Sequence, residues 1–165
     1  NNLKITKDQL EAAKHFFQES NVGVLTKIST EINSKANFTS VLLALEKHGL
    51  DRIKVEDLLE SIFIIYYAQT RLNKRTIPTI SSGQVVKNIN WFGQFIGYFN
   101  DEKKTPPRSV QIKFLRDEEV LNFALVTLQA MFGDPKNIPK EVAYGYFGLL
   151  KGIEMGAEKS SVQLR

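Results

Sequence analysis

Cysteine is absent from the 165 residues, which excludes disulfides, thiol nucleophiles, iron–sulfur clusters and thiolate zinc sites. The fold must therefore stand on packing alone. Histidine is scarce: His15 and His48 are the 2 in the chain, and neither sits in an H-E-x-x-H or similar catalytic signature. No G-x-x-x-x-G-K, G-x-G-x-x-G or G-x-S-x-G occurs, so nucleotide-binding loops and a nucleophile elbow are unsupported. With 5 prolines and 10 glycines, collagen-like and low-complexity classes are set aside. The longest apolar runs, Ser61 to Ala68 and Val120 to Phe132, fall short of the roughly 20 residues that span a bilayer as a helix. The first ten residues carry Lys4, Lys7 and Asp8 and form no apolar h-region, so no signal peptide is expected. A chain opening on Asn1 suits a processed or excised protein, and the compartment stays open.

What is present is the composition of a soluble, folded chain, 42% hydrophobic and 24% charged, long enough for one domain of about 100–200 residues. Its net charge of +4 conceals an asymmetry. Residues 1–70 carry 8 Lys/Arg against 9 Asp/Glu, residues 71–116 carry 9 against 2, and residues 117–165 carry 5 against 7. Arg71, Lys74, Arg75, Lys87, Lys103, Lys104, Arg108, Lys113 and Arg116 form this basic middle. Folding either gathers them into a patch for an acidic partner or neutralises them with carboxylates from the flanking thirds.

The patterning is helical almost throughout. Thr6-Lys-Asp-Gln9 reads as a capping box opening a helix to about Ser20. Val22, Leu25, Ile28 and Ile32, then Phe38, Val41, Leu42 and Leu45, recur at three- and four-residue steps, with Gly49 as a stop. Val55, Leu58, Leu59, Ile62, Phe63 and Tyr66 follow the helical template without a gap, and apolar character all round Ile62 to Ala68 predicts a central helix. Arg71 to Ile80, with Pro78, reads as a connection. Ser81-Ser-Gly-Gln84 is a second capping box before a seam of Val85, Ile89, Phe92, Ile96 and Phe99. Ser109 to Arg116 alternates like a strand but lacks a partner, so extended chain packed on helices is expected. Asp117, Glu118 and Glu119 start a helix buried through Leu121, Ala124, Leu125, Leu128 and Phe132 and stopped at Gly133. Pro139 opens a last helix reaching about Lys159.

Two features stand out. Gly145, Gly148, Gly152 and Gly156 interrupt the last helix, although each interior glycine costs about 1 kcal/mol against alanine. Gly145, Gly152 and Gly156 share a side, and Gly93 and Gly97 offer a matching stripe, so the two helices are expected to pack closely, backbone to backbone; a ligand groove and a homodimer seam are the alternatives. Aromatic residues crowd the same helices: Trp91, Phe92, Phe95, Tyr98 and Phe99 on one, Tyr144, Tyr146 and Phe147 on the other. Trp91 and Tyr98 are candidate interaction anchors if exposed. Catalytic candidates are poor. Glu11/His15 would need a third metal ligand, and Glu56/Asp57/Glu60 reads as a solvated face that could also bind a cation or act as an acid/base pair. A helix-turn-helix over Ser40–Ile62 is disfavoured by those same carboxylates, and Asn37-Phe-Thr39 is an isolated glycosylation sequon.

The reading is thus an all-α irregular bundle of about six or seven helices in a single domain spanning residues 1–165, with residues 1–5 and 160–165 as frayed ends. Its expected role is a non-catalytic protein-interaction module of the adaptor, inhibitor or antagonist-neutralising type, with no cofactor or metal. Arg71, Lys74, Arg75, Lys103, Lys104, Arg108, Lys113, Trp91 and Tyr98 would meet a protein with an acidic surface, while Gly93, Gly97, Gly145, Gly152 and Gly156 serve close packing. The alternatives are a carrier of a small apolar ligand between the glycine-rich helices, and a single-stranded nucleic-acid binder. An enzyme would need carboxylates assembled from distant segments.

Overall fold

The computed structural model describes residues 4–36, 38–47, 49–100 and 114–163. Among these lie seven α-helices and no strand: α1 (Lys7–Glu19), α2 (Val22–Ala36), α3 (Phe38–Lys47), α4 (Arg52–Tyr67), α5 (Ser82–Asn100), α6 (Glu118–Phe132) and α7 (Lys140–Gln163). A π-helical turn, Ala68–Leu72, prolongs α4, and a 3₁₀ turn, Pro135–Asn137, precedes α7. The all-α bundle expected from the sequence is the observed architecture.

Local chemistry explains most boundaries. Thr6 Oγ1 accepts from Gln9 N while Gln9 Oε1 accepts from Thr6 N, closing the capping box of α1. Asp51 caps α4 by accepting from Lys54 N, and Gly49 and Gly133 supply the positive φ that ends α3 and α6. Ser81 Oγ accepts from Gln84 N as expected, and the Gln84 side-chain amide donates forward to Asn88 Oδ1.

Helix α4 is central. Ser61 through Tyr66 are all buried, and α1, α2, α3, α6 and α7 pack around it. Phe63 meets Phe17 of α1 edge-on, Ser61 Oγ lies 2.8 Å from Tyr146 Oη of α7, and Tyr66 Oη donates to Glu31 of α2. Burial pushes the Tyr146 phenol up to about 12, so this buried hydroxyl stays protonated. The helix runs two residues into the expected Arg71–Ile80 connection, through a last turn that widens: Asn73 N donates to Ala68 O across five residues, and Arg75 N donates to Gln69 O.

Helices α5 and α7 run antiparallel, with Gln84 beside Met155 at one end and Gly93 beside Tyr144 at the other. They do approach closely, but not through facing glycine stripes. The nearest backbone approach is at Gly148, where an added Cβ would lie 2.6 Å from Ile89 Cγ1 and 3.3 Å from Ile89 N. Gly145 instead receives Leu45 and Val41, Gly152 receives Ile80, Gly156 receives Ile77 and Pro78, and Gly93 receives the Tyr144 ring. One row of glycines thus accommodates α3, α5 and the 73–81 connection in turn. The surroundings of Gly97 lie outside the described side chains.

Other expectations need correction. Residues 1–5 are not all frayed: Ile5 is 1% exposed and its N donates to Asp117 Oδ2. At the other end α7 continues to Gln163, beyond the expected end near Lys159. In α6 Ala124 and Leu128 are buried and Leu121 and Phe132 pack against the core as expected, and Val120 is buried with them, whereas Leu125 is exposed. Val22 and Leu59 are also exposed. Phe114 and Leu115 are both buried, which breaks the alternation expected there; the rest of that stretch, residues 109–113, lies outside the described residues.

The glycines yield a paired test. Gly148→Ala should lower stability by about 1–2 kcal/mol in chemical denaturation, since overpacking against Ile89 outweighs the gain in helix propensity. Gly145→Ala, whose Cβ would find ordinary contact at 3.4 Å, should be neutral or stabilise by up to about 1 kcal/mol.

Candidate functional site

Trp91 sits on the outer side of α5 with 43% of its surface exposed, while its neighbour Phe92 is buried. Phe92 is the hub of an aromatic cluster: it stacks on Phe147 at 4.6 Å and meets Phe114 and Tyr144 edge-on at 4.9 and 5.7 Å. Each such pair contributes about 0.5–1.5 kcal/mol beyond its buried area. Trp91 in turn stands edge-on to Phe114 at 5.3 Å, and the Lys151 ammonium lies 5.1 Å from its ring centre. The indole is exposed on one side and held on the other.

Beneath it lies a buried ion pair. Lys151 Nζ donates to Glu154 Oε1 at 2.9 Å, with side chains only 5% and 10% exposed. Two charges taken out of water are tolerated only when their remaining hydrogen-bonding capacity is used. Here Glu154 also accepts from Arg116 N at 3.1 and 3.0 Å and from Asp117 N at 3.3 Å, while the Lys151 ammonium rests against the faces of Trp91 and Phe114.

Asp117 extends the network. It caps α6 by accepting from Glu119 N and Val120 N, and its other oxygen accepts from Ile5 N at 2.6 Å. Burial raises the Asp117 carboxyl above its ordinary value, against the pull of those three backbone N–H groups.

Of the residues expected to bind a partner, the side chains of Arg71, Lys74, Arg75 and Trp91 are among those described. Arg71 pairs with Glu31 at 2.7 Å, an acidic residue of the first third, and Arg116 lies 3.6 Å from Glu158 of the last third. Neutralisation by the flanking segments is therefore realised at these two positions. Lys74 is exposed in the left-handed region at φ 54, closing the π turn, and Arg75 is half-buried with Nε unpartnered. Lys87 is exposed one turn before Trp91. Lys103, Lys104, Arg108 and Lys113 lie outside the described residues, as does the side chain of Tyr98.

The weaker chemical candidates resolve into surface pairs. His15 faces Glu19 at 3.2 Å and Glu11 faces Lys14 at 3.2 Å, all four side chains exposed on the surface of α1. Among the described residues no three His, Cys, Asp or Glu side chains are placed to hold a metal ion. Burial, then Asp57, raises the Glu60 carboxyl. No described helix is long and apolar enough to cross a membrane. Neither a known family, a curated protein nor a solved structure matches the chain.

Sequence reasoning missed Lys151, Glu154 and Asp117 as a hub. A signal existed for the first two: between Val142 and Ala157 they are the only charged residues, three apart and opposite in sign, on a stretch otherwise apolar or small.

Asp117→Ala should destabilise the protein by about 2–4 kcal/mol in a thermal or chemical melt, because it removes a cap and strands the buried Ile5 N–H. Because the folded value of Asp117 is raised, the stability linked to its titration is full below the ordinary aspartate pKa and is lost as pH rises through the raised one. The stability advantage of the wild type over Asp117→Asn should therefore shrink as pH rises across that window, followed by denaturation at a series of pH values.

Proposed function

We propose that this chain is a non-catalytic helical interaction module that engages a protein with an acidic surface through the outer face of α5 around Trp91. The observation that carries the reading is the half-exposed indole fixed from below by Phe114 and Lys151. An aromatic anchor already immobilised loses little freedom when a partner closes over it, and tryptophan is enriched among residues that dominate binding energy. The charge sense comes from exposed Lys87 on the same helix and from the basic bias of residues 71–116. Lysines at the rim of such a contact steer encounter and set register more than they add affinity.

A second reading, a stacking platform for single-stranded nucleic acid, rests on the same indole, since a base would cover it equally well. Salt dependence separates the two. Phosphate neutralisation gives a steep linear fall of log affinity with log salt, whereas an anchor-dominated protein contact changes less.

Trp91 is the only tryptophan in the chain, so its fluorescence reports on this face without labelling. Titration with acidic peptides bearing an apolar residue should shift its emission to shorter wavelength. Trp91→Ala should weaken binding by on the order of 2 kcal/mol, and Lys87→Glu should slow association with a smaller effect on dissociation. Binding that survives Trp91→Ala unchanged would remove the proposal, and preferential, steeply salt-dependent binding of oligo-dT would replace it with the nucleic-acid reading.

A further inference from the structure

Helix α6 turns an uncharged face to solvent. From Val120 to Phe132 no residue is charged, and Asn122, Leu125, Val126, Gln129 and Ala130 all stand exposed on the side away from the core. Leu125 is 49% and Val126 63% exposed. A surface helix ordinarily carries its charged residues on this side, and a helix apolar on both sides is one whose second side is also covered. The patch continues onto α4. Phe123, Val126 and Ala130 form one wall of an open groove whose other wall includes Asp57, Glu60 and Ile64. Ile53, 72% exposed, lies one turn before Asp57 on the same stripe of α4, so the apolar surface reaches from Leu125 across α6 to Ile53.

Charge is confined to the rim, and it has an order along α6. At the N-terminal end stand Glu118 and Glu119, and Lys14 of α1 lies 5.1 Å from the Phe123 ring centre. At the C-terminal end Lys54 lies 5.0 Å from the Phe132 ring centre, Lys136 is exposed, and Asp57 follows one turn along α4. The acidic residues beside those two lysines are turned to helix starts: Asp51 accepts from Lys54 N and Asp134 from Lys136 N. Lys14 has Glu11 at 3.2 Å as a surface partner, an arrangement that contributes little on its own. Burial, then Asp57, holds the Glu60 carboxyl above its ordinary value, which marks the middle of the rim as short of cations.

Reversal turns this order into complementarity. In a second copy related by a two-fold axis, α6 runs antiparallel over the first. The Glu118/Glu119 end of each copy then meets the Lys54/Lys136 end of the other, and Lys14 comes opposite Asp57. An uncharged centre gives a strongly acidic or basic protein nothing to recognise, whereas an isologous contact supplies both the neutral centre and the reversed rim by symmetry.

We propose that this face pairs with itself: two copies of the chain associate through antiparallel α6 helices, with Leu125 and Val126 at the middle of the contact. The pairing involves neither the glycines of α7 nor Trp91 on α5, and it does not depend on the acidic-partner reading.

Sedimentation velocity of the full chain from roughly 1 to 500 µM should show a monomer–dimer equilibrium with Kd on the order of 10 µM. Val126→Glu places like charges near the two-fold axis and should raise that Kd by about tenfold or more, with the circular dichroism spectrum unchanged at this exposed position. Trp91→Ala should leave the Kd as it is. Because the chain has no cysteine, Val126→Cys supplies a single thiol beside its symmetry mate. Mild oxidation should cross-link it about tenfold or more faster than Val22→Cys, whose equally accessible thiol sits on α2. A monomer throughout the concentration range, a dimer indifferent to Val126→Glu or lost in Trp91→Ala, or equal cross-linking of the two thiols overturns the proposal. A chain that stays monomeric yet binds phosphatidylcholine vesicles through Val126 overturns it as well, and assigns the face to a membrane surface. If Val126→Glu does not fold, the two cysteine variants decide. The Trp91 fluorescence assay reports on a different helix, so it fails or succeeds independently.

Discussion

The Glu154 carboxylate is the constraint on which most of the arrangement depends. A charge removed from water must be matched where it stands, and this one is matched by Lys151 from its own helix and by main-chain N–H groups of Arg116 and Asp117. The match fixes the corner before α6 against α7. Asp117, held at that corner, then starts α6 and receives Ile5, so the N-terminal segment is tied to the same point. Lys151 in turn needs apolar cover that still attracts a cation, and Trp91 and Phe114 provide it. One buried charge thereby determines where four segments of chain meet.

Glycine determines how near they can come. Helix α7 gives up helix propensity at four positions and gains surfaces that neighbours enter at different depths. Only at Gly148 is the approach close enough for the Ile89 main chain to matter; at the other three, side chains of Leu45, Val41, Ile80, Ile77 and Pro78 fill the notches. The described notches are occupied by protein, which favours close packing there over an apolar ligand held between the helices.

Much of this was legible before folding was considered. The capping box at Thr6, the stops at Gly49 and Gly133, and the central burial of α4 are local consequences of hydrogen-bonding chemistry and periodicity, which a single sequence displays directly. In α6 the expected face holds at Leu121, Ala124, Leu128 and Phe132 and fails at Leu125, which satisfies the same period yet lies at the edge of the buried stripe, while Val120 at the other edge is buried. Likewise the glycines announced proximity without naming the neighbour, since small residues on a helix accept any adjacent chain. The buried network joins residues 5, 117, 151 and 154. Such separations leave no pattern within a helical window.

The seclusion of Lys151 also confers a chemical property on the molecule. An amine that is paired with a carboxylate and roofed by an indole is shielded from acylating reagents, whereas Lys87 and Lys140 stand in solvent. Modification of Lys151 therefore requires Trp91 or the 114–117 corner to move aside, and the rate at which a reagent reaches it becomes a clock for that excursion.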